Sequence, residues 1–186
     1  MGDITSTARS RLQTAAVELF LGKGFDQTTA AEIAAKAGVT ERTFFRHFAD
    51  KREVLFDGQA VLSEALLAAI AHAPPNLSSI AVLFRSFRSV CPLLESNRPF
   101  SRPRRDVINA TPALQERELA KIASLSDSLA LALEARGEKS TRASLAAHIG
   151  MIAFAYATNA WLEDDKRDLQ DRLAEAEREM TSLFRM

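Results

Sequence analysis

Three features of the sequence predict an all-α fold. Alanine and leucine are abundant, while glycine and proline number only seven and six in 186 residues. That balance favours helices and leaves few residues for hairpin turns. Apolar residues recur at three- and four-residue steps, most clearly at Leu77, Ile80, Leu83, Phe84, Phe87, Val90 and Cys91. Thr29 with Glu32, and Asp50 with Glu53, each place a capping residue three positions before a glutamate, which marks a helix start. The pattern predicts about nine helices. A chain of this length forms one compact unit or two small ones, and either buries a real core.

Taken in order, the first helix begins at residues 5–7, carries Leu12, Ala16, Leu19 and Phe20 on one side, and stops at Gly22 and Gly24. The Gly22-Lys23-Gly24 triplet lacks the length and spacing of a phosphate loop and reads as a helix end. Residues 28–51, TTAAEIAAKAGVTERTFFRHFADK, then read as two short helices joined by a tight turn. Thr29 starts the first, Gly38 supplies the left-handed residue that stops it, and Thr40 caps the second. Ile33, Ala34, Ala37, Val39, Phe44 and Phe48 fall at spacings that bury one face of each helix against the other. Glu41, Arg42, Thr43, Phe45, Arg46 and His47 stay outside. A helix-turn-helix at residues 29–48 that shows guanidinium, hydroxyl, imidazole and aromatic groups has the shape and donors to enter a DNA major groove.

Beyond it, the Asp50–Glu53 cap opens a helix expected to run to residue 71, with Val54, Leu55, Leu62, Leu66 and Ala69 on its apolar side. Pro74 and Pro75 break the chain there. The Leu77 to Cys91 stripe follows and is expected to bend or end at Pro92. Prolines at 99, 103 and 112 limit the next segment to a short helix over 104–109. Thr111 before Pro112 starts a long helix carrying Leu114, Ile122, Leu125, Leu129 and Leu133 as far as Gly137. Residues 145–162 contain no charged side chain and reach the lower length of a membrane span. His148, Thr158, Asn159 and many alanines favour instead a helix buried by protein, with no membrane partner. The last helix, over 166–184, spaces Leu169, Leu173, Ala176, Met180 and Leu183 as a packing seam. On its other face Arg167 with Asp171, and Asp168 with Arg172, stand at i,i+4 spacing.

Charge and chemistry narrow the function. A formal net charge of zero excludes coating nucleic acid by bulk electrostatics. Locally, Arg42, Arg46, Lys51 and Arg52 outnumber Glu41 and Asp50, so a positive surplus sits at the second short helix. Cys91 is the sole cysteine, which excludes an intrachain disulfide or a cysteine-rich zinc site and fits a reducing cytoplasm. The N-terminal MGDITSTARSR lacks the apolar core of a signal peptide. His47, His72 and His148 lack metal-ligand spacing, so no metal, cofactor or catalytic residue is assigned. Glu163, Asp164 and Asp165 cluster where one helix ends and another begins, where capping accounts for them. Two alternatives to DNA binding are a helical interaction adaptor, which explains the seam but not the reading helix, and a helical enzyme. Titration onto duplex DNA separates the three.

At AAVELFLGKGF, TT, IA, AG, the Thr-Phe-Phe run, FRHF and the acidic-Lys DK, in that order, the chain resembles the TetR family of bacterial transcription regulators. The resemblance covers about the first quarter of the chain. It implies a three-helix DNA-binding domain at residues 1–50 and a helical effector-binding and dimerisation domain at 51–186. It further implies a cytoplasmic, ligand-released repressor that works as a homodimer on a roughly palindromic operator.

Residue roles follow from position and from that resemblance. Arg42 lies in the first turn of the reading helix, where a guanidinium pairs two donors with guanine. Glu41 accepts from cytosine or complements the helix dipole. Thr29, Thr43, His47 and Lys51 are expected on phosphates by the family pattern, with Thr40 and Arg46 beside them. Phe45 stands where the family often has tyrosine, and packs on sugar or a thymine methyl. Ile149, Ile152 and Tyr156, with Leu169, Leu173, Ala176, Met180 and Leu183, are expected to pair two copies, as the family's last two helices do. Phe84, Phe87, Cys91, Phe100, Met151, Phe154, Tyr156 and Trp161 are expected to line an effector pocket, though ordinary core explains any one of them as well. Arg98, Arg102, Arg104 and Arg105 beside those aromatics suit an acidic amphiphile such as a fatty acid or its thioester.

Overall fold

A computed structural model describes residues 7–183, in which every regular element is a helix. Ten helical segments follow one another among the described residues: α1 (Ala8–Lys23), α2 (Ala30–Lys36), α3 (Glu41–His47), α4 (Glu53–Phe56), α5 (Gln59–Ala71), α6 (Ser79–Ser96), α7 (Arg98–Asn109), α8 (Pro112–Ala135), α9 (Ser140–Glu163) and α10 (Leu169–Leu183). Counting the single turn α4 with α5 gives nine, as expected. Of the start proposed at residues 5–7, Thr7 caps α1 by accepting from the Ser10 amide, while Thr5 lies outside the described residues. Phe184 at the far end also lies outside them.

The chain divides into two compact units. One runs to Gln59 and includes Pro99–Glu116; the other comprises Ala60–Arg98 and Arg117 onward. This division is drawn otherwise than a split at residue 50, because Val107, Ile108 and Leu114 belong to the core of the first unit. In that unit α1 packs against α2 and α4, and α2 against α3, around Leu12, Ala16, Phe20, Ile33, Phe44, Val54 and Leu55. In the second, α9 packs against α6 and α10 around Leu83, Phe84, Phe87, Met151, Phe154, Leu169 and Leu173. Gly150 sits at the α6–α9 contact, where an added Cβ would lie 3.1 Å from the Leu83 Cδ1.

Four expectations about elements are corrected. The helix expected from 50 to 71 is interrupted by a two-residue turn at Asp57 and Gly58, where the Asp57 carboxylate pairs with Arg9 and accepts from Gln13 on α1. Pro92 does not end α6, which runs on to Ser96. An interior proline costs about 3 kcal/mol, whereas each large apolar side chain buried adds about 1.5–3 kcal/mol, and α6 buries Val82, Leu83, Phe84, Phe87 and Val90. The short helix over 104–109 extends back to Arg98: Pro99 falls in the first turn, where no helical donor is lost, and the helix continues through the interior Pro103. Finally, α10 begins at Leu169, so residues 166–168 precede it and i,i+4 pairing does not apply there. Arg167 pairs with Glu175 at 2.7 Å and Arg172 with Asp164 at 2.6 Å.

Two stretches, Glu53–Ala71 and Ser140–Glu163, are long and apolar enough to cross a membrane. The second buries Ala143, Ala147, Met151, Phe154, Ala157 and Trp161 within its unit, which accounts for the lack of charge over 145–162. The first is interrupted by the turn at Asp57 and Gly58.

Candidate nucleic-acid interface

Local polar chemistry sets the shape of the helix-turn-helix. The Thr29 hydroxyl accepts from the Glu32 amide at 3.2 Å, and the Glu32 carboxylate accepts from the Thr29 amide at 2.8 Å, the reciprocal box expected from the sequence. Lys23 also pairs with Glu32 and, with the Thr29 amide, holds that carboxyl down at a pKa of about 2. Gly38, at φ +67°, supplies the left-handed turn that ends α2. Thr40 caps α3 by accepting from the Thr43 amide at 3.2 Å, and the two hydroxyls lie 3.0 Å apart.

Behind α3, Phe44 is fully buried and Phe48 nearly so, against Ile33, Ala34 and Ala37. In front, Thr40, Glu41, Arg42, Phe45 and Arg46 are exposed, and Thr43 and His47 half-buried. Phe45 is 52% exposed and meets Phe44 edge-on at 5.3 Å, so its ring is braced from behind and open in front. The Nε2 of His47 is buried with no partner among the described residues. Arg52 pairs with Asp50 at 2.8 Å, and Asp50 also accepts from the Arg52 and Glu53 amides, as the expected cap requires. Those donors outweigh burial and hold the Asp50 carboxyl below its ordinary range. With Arg52 paired, Arg42 and Arg46 carry the positive surplus on the face of α3.

Lys51, expected on a phosphate, is engaged within its own unit. Its ammonium turns inward to the Phe25, Asp26 and Thr28 carbonyls of the α1–α2 turn and lies 4.2 Å over the Phe25 ring. Sequence reasoning also missed Arg11, whose Nε donates to the Ala37 carbonyl at 3.1 Å, and Thr28, whose hydroxyl donates to Gly24. Lys51 and Arg11 reach partners more than twenty residues away, and no short-range spacing signals such a bond.

The residues expected at an effector site fall into three groups. Phe84, Phe87, Cys91, Met151, Phe154 and Trp161 are buried in the second unit, where Phe87 stacks on Phe154 at 4.5 Å and meets Phe84 edge-on. Desolvation, reinforced by Glu95, pushes the Cys91 thiol up to about 11. Phe100, Arg104 and Arg105 belong instead to the first unit. There Arg104 donates to the Leu55 carbonyl and lies 5.2 Å from the Phe56 ring. Tyr156 is 65% exposed, at the surface of α9. Of the expected arginines, Arg98 does meet an aromatic of the set, standing 4.9 Å over Trp161 while donating to its carbonyl.

The residues expected to pair two copies also separate. Leu169, Leu173, Ala176 and Met180 are buried in the core of their own unit. Ile152, Tyr156 and Leu183 are exposed, and Ile149 is half-buried. Exposed Leu145 joins Ile149, Ile152 and Tyr156 in one stripe along α9.

Residues 12–57 match the family of bacterial regulatory proteins called tetR, and residues 77–185 match the MftR C-terminal domain. Over 82 residues, 44% of the chain, it is 40% identical to the HTH-type transcriptional regulator TcmR of Streptomyces glaucescens. That match spans 36% of TcmR. MftR of Mycobacterium tuberculosis (strain ATCC 25618 / H37Rv) is 24% identical over 95% of the chain and 90% of its own length. Among solved structures, FadR of Thermus thermophilus, a TetR family repressor in complex with lauroyl-CoA, superposes with a TM-score of 0.58 at 24% identity, over 96% of this chain and 95% of FadR. A SmeT–triclosan complex does so with a TM-score of 0.66 at 18% identity, over 96% of this chain and 91% of SmeT. At such identities these two structures speak for the fold alone. With a family match over more than half its length, and with a capped, outward-facing reading helix, the chain belongs to the tetR family and is a helix-turn-helix transcriptional regulator rather than an enzyme.

Proposed function

We propose that this regulator is a cytoplasmic repressor that binds a palindromic operator as a homodimer and is released by a small apolar ligand carrying an acid group. The observation that carries the DNA-binding half is α3 itself: a buried Phe44 behind, and exposed Arg42, Phe45 and Arg46 in front. One seven-residue helix covers only a few base pairs, so two copies related by a two-fold axis are needed to specify a site of useful length. The Leu145, Ile149, Ile152 and Tyr156 stripe supports that pairing, since an exposed apolar face of this kind is covered by a second copy of itself. In this reading Arg42 contacts a base, Phe45 a sugar or thymine methyl, and Thr29, Thr40, Thr43 and Arg46 the backbone. Glu41 complements the dipole of α3 or accepts from cytosine.

The effector part rests on the buried aromatic set of Phe84, Phe87 and Phe154, which suits an apolar chain, and on FadR, a protein of like fold that holds lauroyl-CoA. Arg98 stands over Trp161 but pairs with Asp165 at 2.6 Å, so an acid group of the ligand would meet it by displacing that carboxylate. A ligand of this class acts by binding the DNA-free form better than the bound one.

The experiment is selection of bound sequences from random duplexes, followed by titration of the recovered duplex. A two-fold symmetric site is expected, bound by a species of twice the 20.4 kDa chain mass in light scattering. Arg42→Ala is expected to cost about 1–3 kcal/mol at that site and to relax one base pair. Acyl-CoA and fatty acids are expected to raise the melting temperature and release the duplex. Stabilisation by neutral aromatics alone would exclude the acidic effector and leave the regulator in place.

A further inference from the structure

Lys51 lies just beyond α3, and its ammonium group is directed into the turn between α1 and α2. The Nζ donates to the Phe25 carbonyl at 2.7 Å and the Thr28 carbonyl at 2.9 Å, and lies 3.4 Å from that of Asp26. Three carbonyls meet the three N–H donors of one ammonium, above the face of the Phe25 ring at 4.2 Å. The turn is held from its other side as well, by the Thr28 hydroxyl on the Gly24 carbonyl at 2.8 Å, and Thr28 is fully buried. Thr29, the next residue, caps α2.

One side chain therefore ties the residues that start α2 to the chain leaving α3. Both helices have only seven residues, too few to keep a direction by their own hydrogen bonds. Charge-assisted bonds to carbonyls are roughly twice as strong as neutral ones. Turning Lys51 outward to a phosphate would exchange them for an exposed, salt-screened contact and leave the Thr28 carbonyl without this donor.

We propose that Lys51 is a positioning residue for DNA recognition, a clip that fixes the start of α2 against the end of α3, and not a phosphate contact. The proposal rests on the chain being a DNA-binding regulator, but its first test needs no DNA. The intact wild-type protein is treated with N-hydroxysuccinimidyl acetate, and acylation is read residue by residue by mass spectrometry. Lys51 is expected to react several-fold more slowly than Lys36 and Lys139, with or without duplex. Reaction at the rate of those lysines in free protein, with protection only on adding DNA, would overturn the clip.

Lys51→Met is then titrated with the selected duplex and with a scrambled one over a range of salt. The ratio of the two affinities is expected to fall about tenfold, with scrambled-duplex affinity and its salt slope held. A phosphate contact predicts instead that both affinities fall alike and that the slope shrinks by about 0.9 per subunit. An unchanged ratio and slope, with only a lower melting temperature, would make Lys51 merely structural. Should Lys51→Met fail to fold, the wild-type acylation pattern still decides. Should selection recover no duplex, the DNA-binding reading fails and the acylation result stands apart from it.

Discussion

The two compact units are stabilised in different ways. In the unit that carries the helix-turn-helix, short helices are closed by side chains reaching backbone groups: Thr29 and Glu32 on α2, Thr40 on α3, Asp50 before α4, Lys51 and Arg11 across turns. In the other, long helices meet through apolar faces, with Phe84, Phe87, Phe154 and Leu173 at the centre. The comparison teaches that a recognition element made of seven-residue helices gets its shape from caps, whereas an 18-residue helix such as α6 tolerates an interior proline because its buried face outweighs it.

Two substitutions and one labelling experiment sharpen that contrast. Phe87→Ala removes a fully buried ring that stacks on Phe154, and is expected to cost about 3–5 kcal/mol in denaturant unfolding. A cost below that of removing a cap would break the comparison. Thr29→Ala deletes the box that starts α2 and is expected to cost about 0.5–2 kcal/mol. Its larger effect should appear as faster hydrogen exchange at the Glu32 and Ile33 amides, with exchange in α6 and α9 unchanged. The smallest expected effect is chemical. With its thiol raised to about 11 by burial, Cys91 stays protonated across neutral pH, so a maleimide should leave the native chain unlabelled at pH 7.5 and label it quickly in denaturant. Labelling of native protein at the denatured rate would show that the aromatic core around α6 opens readily.

Legibility followed the same division. Thr29, Glu32, Gly38, Thr40 and the Phe44–Phe48 face were readable because caps and helix faces work over three or four residues, within reach of a spacing rule. The inward turn of Lys51 was not, because nothing at short range distinguishes a lysine aimed at a phosphate from one aimed at carbonyls 23–26 positions back. For the C-terminal helices, periodicity located each apolar stripe but not what it meets. Leu169, Leu173, Ala176 and Met180 read equally as a seam for a partner or for their own core, and they serve their own core. Tyr156 and Phe154 stand two residues apart on one helix and face opposite surroundings, one exposed and one buried, which composition alone does not reveal.

Gly150 has an evolutionary consequence. A glycine inside a 24-residue helix costs about 1 kcal/mol relative to alanine, yet here a Cβ would stand 3.1 Å from Leu83 and 3.5 Å from Phe87. The three positions share one fixed volume. An alanine at 150 requires the Leu83 side chain to give by a few tenths of an ångström, and descendants of this sequence that acquire a still larger residue there are expected to lose bulk at 83 or 87. In a collection of related chains, positions 83, 87 and 150 should vary together in size, one growing only where another has shrunk.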